Sequence, residues 1–349
     1  IRKAKVDLTV WRVDRWECGG HEVTLKCATR DDRGRVLKET PVKKLNWRVK
    51  LYLKRLMPRN ERAALEGLLS RLPAGPNYSA APNGSIKRPH LCLLDLVDVH
   101  FGKLAWAPET GQNYDLRIAE RVYRDAVEDL LSLTAGHQVE EFLIPLGSDF
   151  LHVDNASHST TAGTLQDQDG RVHKILATAE AAVVWAVDAL ASRGSRVTLR
   201  WVPGNHDRLL SWCLARTIQA HFRRCRGVTV DTSSTTRKYH RYGNVLLGLA
   251  HGDQEKHDRL PAVMATEAAR DWAEATCREW HLGHFHRSRR LDSLGLETHN
   301  GVPVRVLRSL SAVDAWHYQQ GYVGTRRSAE AYLYSRDGYV GHFVADVRG

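Results

Sequence analysis

The sequence contains no run of about 18 apolar residues, so it predicts no membrane-spanning helix. The nucleophile elbow GxSxG, the phosphate-binding P-loop and the dinucleotide fingerprint GxGxxG are missing as well. Their absence argues against α/β-hydrolases, P-loop nucleotidases and Rossmann dehydrogenases. The first ten residues, IRKAKVDLTV, lack the apolar core of a signal peptide, and we therefore expect a cytoplasmic protein.

Cysteine is also scarce, with six in 349 residues, and none of the six stands in a CxxC pair. That spacing excludes a zinc finger. Because a cytoplasm keeps thiols reduced, we expect these cysteines to be structural or incidental rather than paired in disulfides.

The positive charge is confined to the first quarter of the chain. Residues 1–90 carry 21 Lys and Arg against 9 Asp and Glu, whereas residues 91–349 carry 30 against 31. The body is therefore almost neutral, and the basic N-terminal quarter also contains Trp11, Trp16, Trp47 and Tyr52. Basic and aromatic residues together favour a nucleic-acid partner for residues 1–90, with a solvated basic surface as the alternative.

Residues 1–55 alternate apolar and polar positions, which predicts short strands at 6–11 and 21–26 with turns at Gly19-Gly20 and 31–34. Asn60 is the expected N-cap of a short helix, and the turn-rich stretch 73–84 resembles a linker. The sequence thus predicts a small basic β-rich domain at 1–85 and a larger domain at 86–349.

The larger domain alternates strand and helix patterns, which is typical of a layered α/β fold. The expected strands lie at 91–97, 141–146, 196–202, 245–250 and 280–282, with further strand-like runs near 304–307, 331–334 and 339–344. The expected helices lie at 115–133, 172–192, 209–223 and 262–276.

Metal-ligand residue types recur just after five of these strands. The clusters, in chain order, are Asp98 with His100, Asp149, Asn205 with His206 and Asp207, His251, and His284 with His286. Side chains that collect at the carboxyl ends of strands form the sites of α/β proteins. The mixture of imidazole and carboxylate suits Mn²⁺, Fe or Zn²⁺ better than Ca²⁺.

These blocks resemble the signature of the calcineurin-like metallophosphoesterase superfamily, namely D-x-H, G-D, G-N-H-D/E, H and G-H-x-H. The resemblance covers about residues 90–349. The string Asp-Val-His-Phe-Gly at 98–102 is similar to the first motif of the SbcD-type nuclease branch. The stretches 147–155, 160–164 and 166–169 resemble metallophosphoesterases of bacteriophage genomes, which adds a phage-infected bacterium as a setting. One departure is Ser148, which stands where the signature has the glycine before Asp149, so Asp154 is a rival for that position.

The resemblance implies a two-sheet sandwich flanked by helices, two divalent metal ions and hydrolysis of a phosphate ester by a hydroxide held on the metals. Mn²⁺ is the first expectation, with Zn²⁺, Fe and Mg²⁺ as alternatives. One metal would be held by Asp98, His100, Asp149 and His286, and the other by Asp149, Asn205, His251 and His284. His206 would act near the leaving group, and Asp207 would orient it. Further candidates for substrate contact are His152, Asp154, Asn155 and Arg287.

Two functions follow as hypotheses. The first is a phosphodiesterase or nuclease that acts on DNA, or RNA. The second is a phosphomonoesterase or nucleotide hydrolase whose N-terminal domain docks a protein partner. The segment 314–318, Asp-Ala-Trp-His-Tyr, is either a packed aromatic corner, which the sequence favours, or a substrate contact.

Overall fold

The computed structural model describes residue 8 and residues 11–55, 88–284, 296–324 and 326–348. Contacts between Cα atoms divide the chain into two units, Ile1–Arg71 and Leu72–Gly349. The expected boundary after residue 85, the helix that begins at Asn60 and the linker at 73–84 lie outside the described residues and stay predictions.

The first unit contains one long antiparallel ribbon of two strands, β1 (Trp11–Arg30) and β2 (Val36–Arg55). The predicted turn at 31–34 is confirmed, because the Asp31 carboxylate accepts hydrogen bonds from the amides of Arg33 and Arg35. The predicted turn at Gly19-Gly20 is wrong. Both glycines lie inside β1 and pair with β2 opposite Arg48 and residue 47, since a continuous ladder of backbone hydrogen bonds offsets the low strand preference of glycine.

The second unit is built from alternating strands and helices. In chain order these are β3 (His90–Asp95), α1 (Ala107–Thr110), α2 (Leu116–Leu133), β4 (Val139–Gly147), α3 (Val172–Ala191), β5 (Arg196–Val202), α4 (Arg208–His221), β6 (Val228–Asp231), β7 (Lys238–Tyr242), β8 (Val245–Ala250), α5 (Leu260–Glu267), α6 (Ala269–Glu274), β9 (Cys277–Leu282), β10 (Leu296–His299), β11 (Val302–Val306), α7 (Ala315–Gln319), β12 (Ser328–Tyr334) and β13 (Tyr339–Asp346). The expected helix at 262–276 is interrupted at Ala268, where α5 ends and α6 begins.

Two sheets form the middle of this unit. The six-stranded sheet has the order β13-β12-β3-β4-β5-β6, and the five-stranded sheet has the order β10-β11-β9-β8-β7. Strands β3 to β6 run parallel to one another, and β8, β9 and β11 are parallel in the second sheet. Parallel strands bring their carboxyl ends to the same edge of a sheet, where ligand sites form.

Three buried apolar clusters show how the layers pack. One joins the six-stranded sheet to α2, α3 and α4, as Ile144, Val127 and Val187 illustrate. A second lies between the two sheets and includes Leu143 and Leu247. The third joins the five-stranded sheet to α5. The fold is therefore an α/β sandwich in which helices cover the outer faces of two sheets.

Within the described part of the chain, no helix has the length and apolar character needed to cross a membrane.

Candidate metal centre

The carboxyl ends of five strands supply a single cluster of polar side chains. Each strand is followed by its own ligand residues: β3 by Asp98 and His100, β4 by Asp149, β5 by Asn205 and His206, β8 by His251, and β9 by His284. The first three strands are neighbours in the six-stranded sheet, and the last two are neighbours in the other sheet. The cluster therefore lies where the ends of both sheets meet.

Backbone hydrogen bonds fix these loops against one another. The amide of Asp98 donates to the Ser148 carbonyl at 3.0 Å, and the amide of His100 donates to the Asp149 carbonyl at 3.0 Å. Asp98, His100, Ser148, Asp149 and His284 all have positive φ, between 52° and 67°. Non-glycine residues rarely adopt this conformation and do so mainly at functional sites, where the surrounding structure holds them.

Two groups of three side chains bring their ligand atoms within 4.8 Å of one another: Asp98 with His100 and Asp149, and Asp149 with His251 and His284. Asp149 belongs to both groups, and Asp154 belongs to neither. Two nitrogen and oxygen donor sets that share a carboxylate are suited to a pair of divalent ions. Asp149, rather than its rival Asp154, is therefore the carboxylate that the two groups share.

In Asp98 and in Asp149, one carboxylate oxygen accepts a hydrogen bond from a backbone amide. Asp98 Oδ2 accepts from the His284 amide at 3.0 Å, and Asp149 Oδ1 accepts from the His206 amide at 2.8 Å. Burial raises the pKa of Asp98 to about 7, and the Asp149 carboxylate acts in the same direction. Burial would also raise the pKa of Asp149, but His251 and His206 outweigh it and hold that pKa below its ordinary range.

His251 is held from both sides of its ring. Its Nε2 lies 3.1 Å from Asp149 Oδ2 and 2.9 Å from Asn205 Oδ1, and its Nδ1 lies 2.9 Å from Ser148 Oγ. Burial would lower the pKa of His251, but the Asp149 carboxylate raises it to about 9. A cation bound between Asp149 and His251 would take the place of that proton.

Ser148 thus makes a contact with His251 that the signature glycine cannot supply. If Nδ1 of His251 donates to Ser148 Oγ, Nε2 is left as the ligand atom, and partners of this kind usually contribute 10- to 100-fold to metal affinity. We expect Ser148→Ala and Ser148→Gly each to weaken Mn²⁺ binding by about 10-fold or more. Titration of the metal-free variants with Mn²⁺ measures this.

The two variants should differ in stability, because glycine relieves the positive φ at position 148 and alanine does not. Ser148→Gly should therefore unfold at a higher temperature than Ser148→Ala while sharing its weak metal binding. Unchanged Mn²⁺ affinity in both variants would contradict the proposed contact with His251.

A third group of ligand types contains His100, His152 and His206. Nδ1 of His152 lies 3.2 Å from Nδ1 of His100, and Nδ1 of His206 donates to the His152 carbonyl at 3.0 Å. Burial lowers the pKa of His152 well below its usual value. His152, a predicted substrate contact, therefore lies next to the metal groups as a neutral imidazole.

Asp207 is fully buried but does not contact His206 in the expected way. Its Oδ2 accepts from the amide of Leu151 at 2.8 Å, and the carbonyl of His152 takes the place expected for Asp207 beside the His206 ring. Burial raises the pKa of Asp207 well above its ordinary value, and Asp149 adds to the effect. The catalytic assignment of Asp207 stays a prediction, with a contact to the Asp149 loop as its observed role.

Asp154 and Asn155 serve the structure of their own loop. Asp154 Oδ1 accepts from the amides of Leu209 and Leu210 at the start of α4, and Oδ2 accepts from Thr161. Asn155 bonds to Ser159 through both ends of its amide. Neither is among the described residues that line the adjacent cavity, so the predicted substrate contacts gain no support from geometry.

A cavity of about 1040 Å³ opens beside the cluster. Asp149, His152, Asn205, His206 and His284 line one part of it; other lining residues include Leu104, Leu165, Glu255, Asp258, Glu297, Asp314, Trp316, His317 and Tyr322. Its volume exceeds what a phosphate group needs and is at the upper end of the range for small-molecule sites.

A buried cation lies near this site, at a residue that was not among the predicted site residues. Lys103 is 1% exposed, and its Nζ lies 3.0 Å from Asp314 Oδ2. Asp314 Oδ1 in turn lies 2.7 Å from Nδ1 of His317. A lysine three residues after His100 was a usable signal, but its partner Asp314 is more than 200 residues away in the chain. Two predicted site residues, His286 and Arg287, lie outside the described residues.

No protein-family model matches the chain, and no curated protein matches it. One solved structure that it resembles is a double mutant of Vps29 from Entamoeba histolytica, with 17% sequence identity and a TM-score of 0.22. The match covers 46% of this chain and 89% of that chain. A likeness this distant decides nothing about fold or function, which follow here from the residues and their geometry.

Proposed function

We propose that the protein is a metallophosphoesterase with two divalent metal ions, Mn²⁺ by donor chemistry, and that it hydrolyses phosphodiesters in nucleic acid. The observation that carries the proposal is the position of Asp149, which belongs to both three-residue metal groups. A pair of ions bridged in this way would stabilise the attacking and leaving oxygens of a phosphoryl group and supply a deprotonated water near neutral pH.

The chain's own residues supply proton transfer and positioning. Nδ1 of His206 donates to the His152 carbonyl, an acceptor only, so this nitrogen carries the proton and fixes the orientation of the ring. When the imidazole is protonated, Nε2 is a second donor on the other side of the ring. His206 is half-buried and lines the cavity. We assign it to protonate the leaving oxygen.

Nucleic acid is favoured as the substrate because the ribbon of the first unit has one basic face. By alternation, one face carries Arg15, Lys38, Lys44, Arg48 and Lys50, with Glu17 as its acidic residue. Tyr52 lies on the same face, beneath the Arg15 guanidinium at 4.0 Å from the ring centroid. The opposite face pairs its lysines with glutamates, as in Lys43–Glu22 at 2.7 Å. Cations unbalanced by acids bind phosphate backbones in a salt-dependent way.

A pair of double variants tests the ribbon. We expect Arg48→Gln with Lys50→Gln to weaken DNA binding and to reduce the slope of log Kd against log salt by up to about 2, since each lost phosphate contact removes about one unit. Lys26→Gln with Lys43→Gln removes the same charge from the opposite face and should change the slope much less. Fluorescence anisotropy over a range of salt concentrations measures both. Equal effects would show that only net charge matters.

Cleavage of end-labelled single- and double-stranded DNA with Mn²⁺ tests the activity, with bis(p-nitrophenyl) phosphate assayed in parallel and Asp149→Ala as the control. The proposal predicts salt-sensitive DNA cleavage that the variant lacks. Intact DNA together with rapid hydrolysis of the small ester would exclude a nuclease while keeping the phosphoesterase.

A second candidate is a nucleotide hydrolase or phosphomonoesterase, with the ribbon docking a protein partner. The acidic residues of the cavity lining favour it, because Asp258, together with Glu255 and Glu297, would disfavour a long polyanion even though Arg237 pairs with Glu255 and His257 with Glu297. Removal of residues 1–85 separates the two: the nuclease should lose DNA cleavage, whereas a small-substrate hydrolase should keep its turnover.

A further inference from the structure

The cavity has an aromatic wall that the metal chemistry does not use. Trp316 lines the cavity with 58% of its surface exposed, although an isolated tryptophan is costly to leave in water. The sequence favoured a packed aromatic corner at this position. Trp316 packs edge-on against the His317 and Tyr322 rings, as that interpretation expects, and still leaves much of its surface open.

Neighbouring aromatic rings and a capped helix hold the Trp316 ring. Its centroid lies 5.0 Å from the His317 ring and 5.9 Å from the Tyr322 ring, both in edge-on geometry. The Asp314 carboxylate caps α7 by accepting from the His317 amide at 2.9 Å. Asp314 is itself anchored by the buried Lys103. A buried ion pair that holds one side of a cavity in place is typical of a preorganised binding surface.

The charges that line the cavity favour a neutral group over a second phosphate at this wall. Apart from histidines, the described lining includes one cation, Lys256, and several carboxylates. Glu255 pairs with Arg237 and Glu297 pairs with His257, whereas no ion pair of Asp258 is found among the described residues. Among the described lining residues, a second phosphate would find no cluster of arginines or lysines to match these acids. A neutral planar ring carries no such penalty and gains contact with the indole face.

We infer that the wall formed by Trp316, His317 and Tyr322 is a subsite for the nucleobase of a phosphate ester. The nucleobase stacks on Trp316 while the phosphate of the same molecule lies at the two ligand groups that share Asp149. This deepens the proposed function and rests on it. It names a nucleoside as the part of the substrate adjoining the scissile phosphate, whether the substrate is a polymer or a small diester.

Two chromogenic diesters test the subsite, since thymidine 5′-(p-nitrophenyl phosphate) and methyl p-nitrophenyl phosphate share a leaving group and differ in the nucleoside. With Mn²⁺, Trp316→Ala should raise KM for the thymidine ester by about 10-fold or more and leave KM for the methyl ester within about 2-fold. Trp316→Phe, which keeps a flat ring, should restore most of the affinity. Trp106→Ala is the matched control, because Trp106 is 59% exposed and is not among the described cavity-lining residues.

Equal KM changes for the two esters, or none for either, would overturn the subsite. If the wild-type protein hydrolyses neither ester, equilibrium binding still decides the subsite, and the proposed function fails if DNA stays intact as well. In that case thymidine 5′-phosphate should bind the Mn²⁺-loaded protein more tightly than methyl phosphate does, and Trp316→Ala should abolish the difference. Equal binding of the two phosphates by the wild-type protein would overturn the inference.

Discussion

Asp149→Asn is expected to lose both metal ions and to reduce phosphodiester hydrolysis by more than about 10³-fold. Asp149 contributes to both three-residue groups, and its Oδ2 is the nearest carboxylate oxygen to His251. The amide of asparagine removes the negative charge and leaves a weaker ligand at the shared position. Metal content after equilibration with Mn²⁺, measured by mass spectrometry, and the rate with bis(p-nitrophenyl) phosphate check the two effects.

Two further variants give this prediction its controls. Asp253→Asn removes the same charge two residues after His251, but Asp253 belongs to neither group, so it should keep both ions. His251→Asn should lose the ion of one group and retain the other. If Asp149→Asn kept both ions, or if all three variants lost metal equally, Asp149 would not be the bridging ligand.

Gly204→Ala is the second substitution with a large expected effect. A Cβ at this position would overlap Asp149 Oδ1 and the Asp149 backbone nitrogen, and would lie 2.8 Å from Asp207 Oδ1. These atoms cannot yield, because Asp149 Oδ1 accepts from the His206 amide and its carbonyl accepts from the His100 amide. The loop of β5 or that of β4 would have to move, and both carry ligands. We expect hydrolysis to fall by more than about 100-fold.

Gly136→Ala is the matched control, since Gly136 is exposed and has no atom within 4 Å of an added Cβ. Circular dichroism should show that both variants are folded, and Mn²⁺ titration should show weakened binding in Gly204→Ala alone. A folded Gly204→Ala variant with wild-type metal affinity and rate would show that the close packing of Gly204 on Asp149 has no functional role.

The sequence predicted the strands that carry the site because they are buried and bounded by polar residues. The runs at 196–202 and 245–250 match β5 and β8 to the residue, and β4 extends one or two residues past its expected ends. A fully buried strand is almost entirely apolar, so its ends are visible where ligands begin. The helix at 262–276 was predicted as one piece, because its interruption at Ala268 leaves no mark in the apolar pattern.

Contacts between residues that are far apart in the chain could not be predicted from the sequence. Ser148 was read as a departure from a motif, whereas its hydroxyl lies against His251, about 100 residues away in the chain. Asp207 was expected beside its neighbour His206, but the backbone turn directs its carboxylate to the Leu151 amide. The order of residues in the chain gave no sign of this contact, and the role of Asp207 toward His206 stays a prediction.

The continuous strand β1 has a related explanation. Gly19-Gly20 is a common turn signal, and local preference alone would break the chain there. Pairing with β2 runs through both glycines without a register shift, since the shifts of the ribbon lie elsewhere, at Val13/Arg15 and Thr29/Arg30. The basic face depends on this pairing, so it could not be predicted from two separate short strands.

The central claim is that the cluster around Asp149 holds two ions that together hydrolyse a phosphodiester. Calorimetric titration of the metal-free protein with Mn²⁺, with hydrolysis of bis(p-nitrophenyl) phosphate followed on the same samples, tests it most directly. The account predicts two ions per chain, release of protons as they bind because the pKa of His251 is raised to about 9, and a rate that rises with the second ion. Saturation at one ion per chain, or at two ions without hydrolysis of either this ester or DNA, would contradict it.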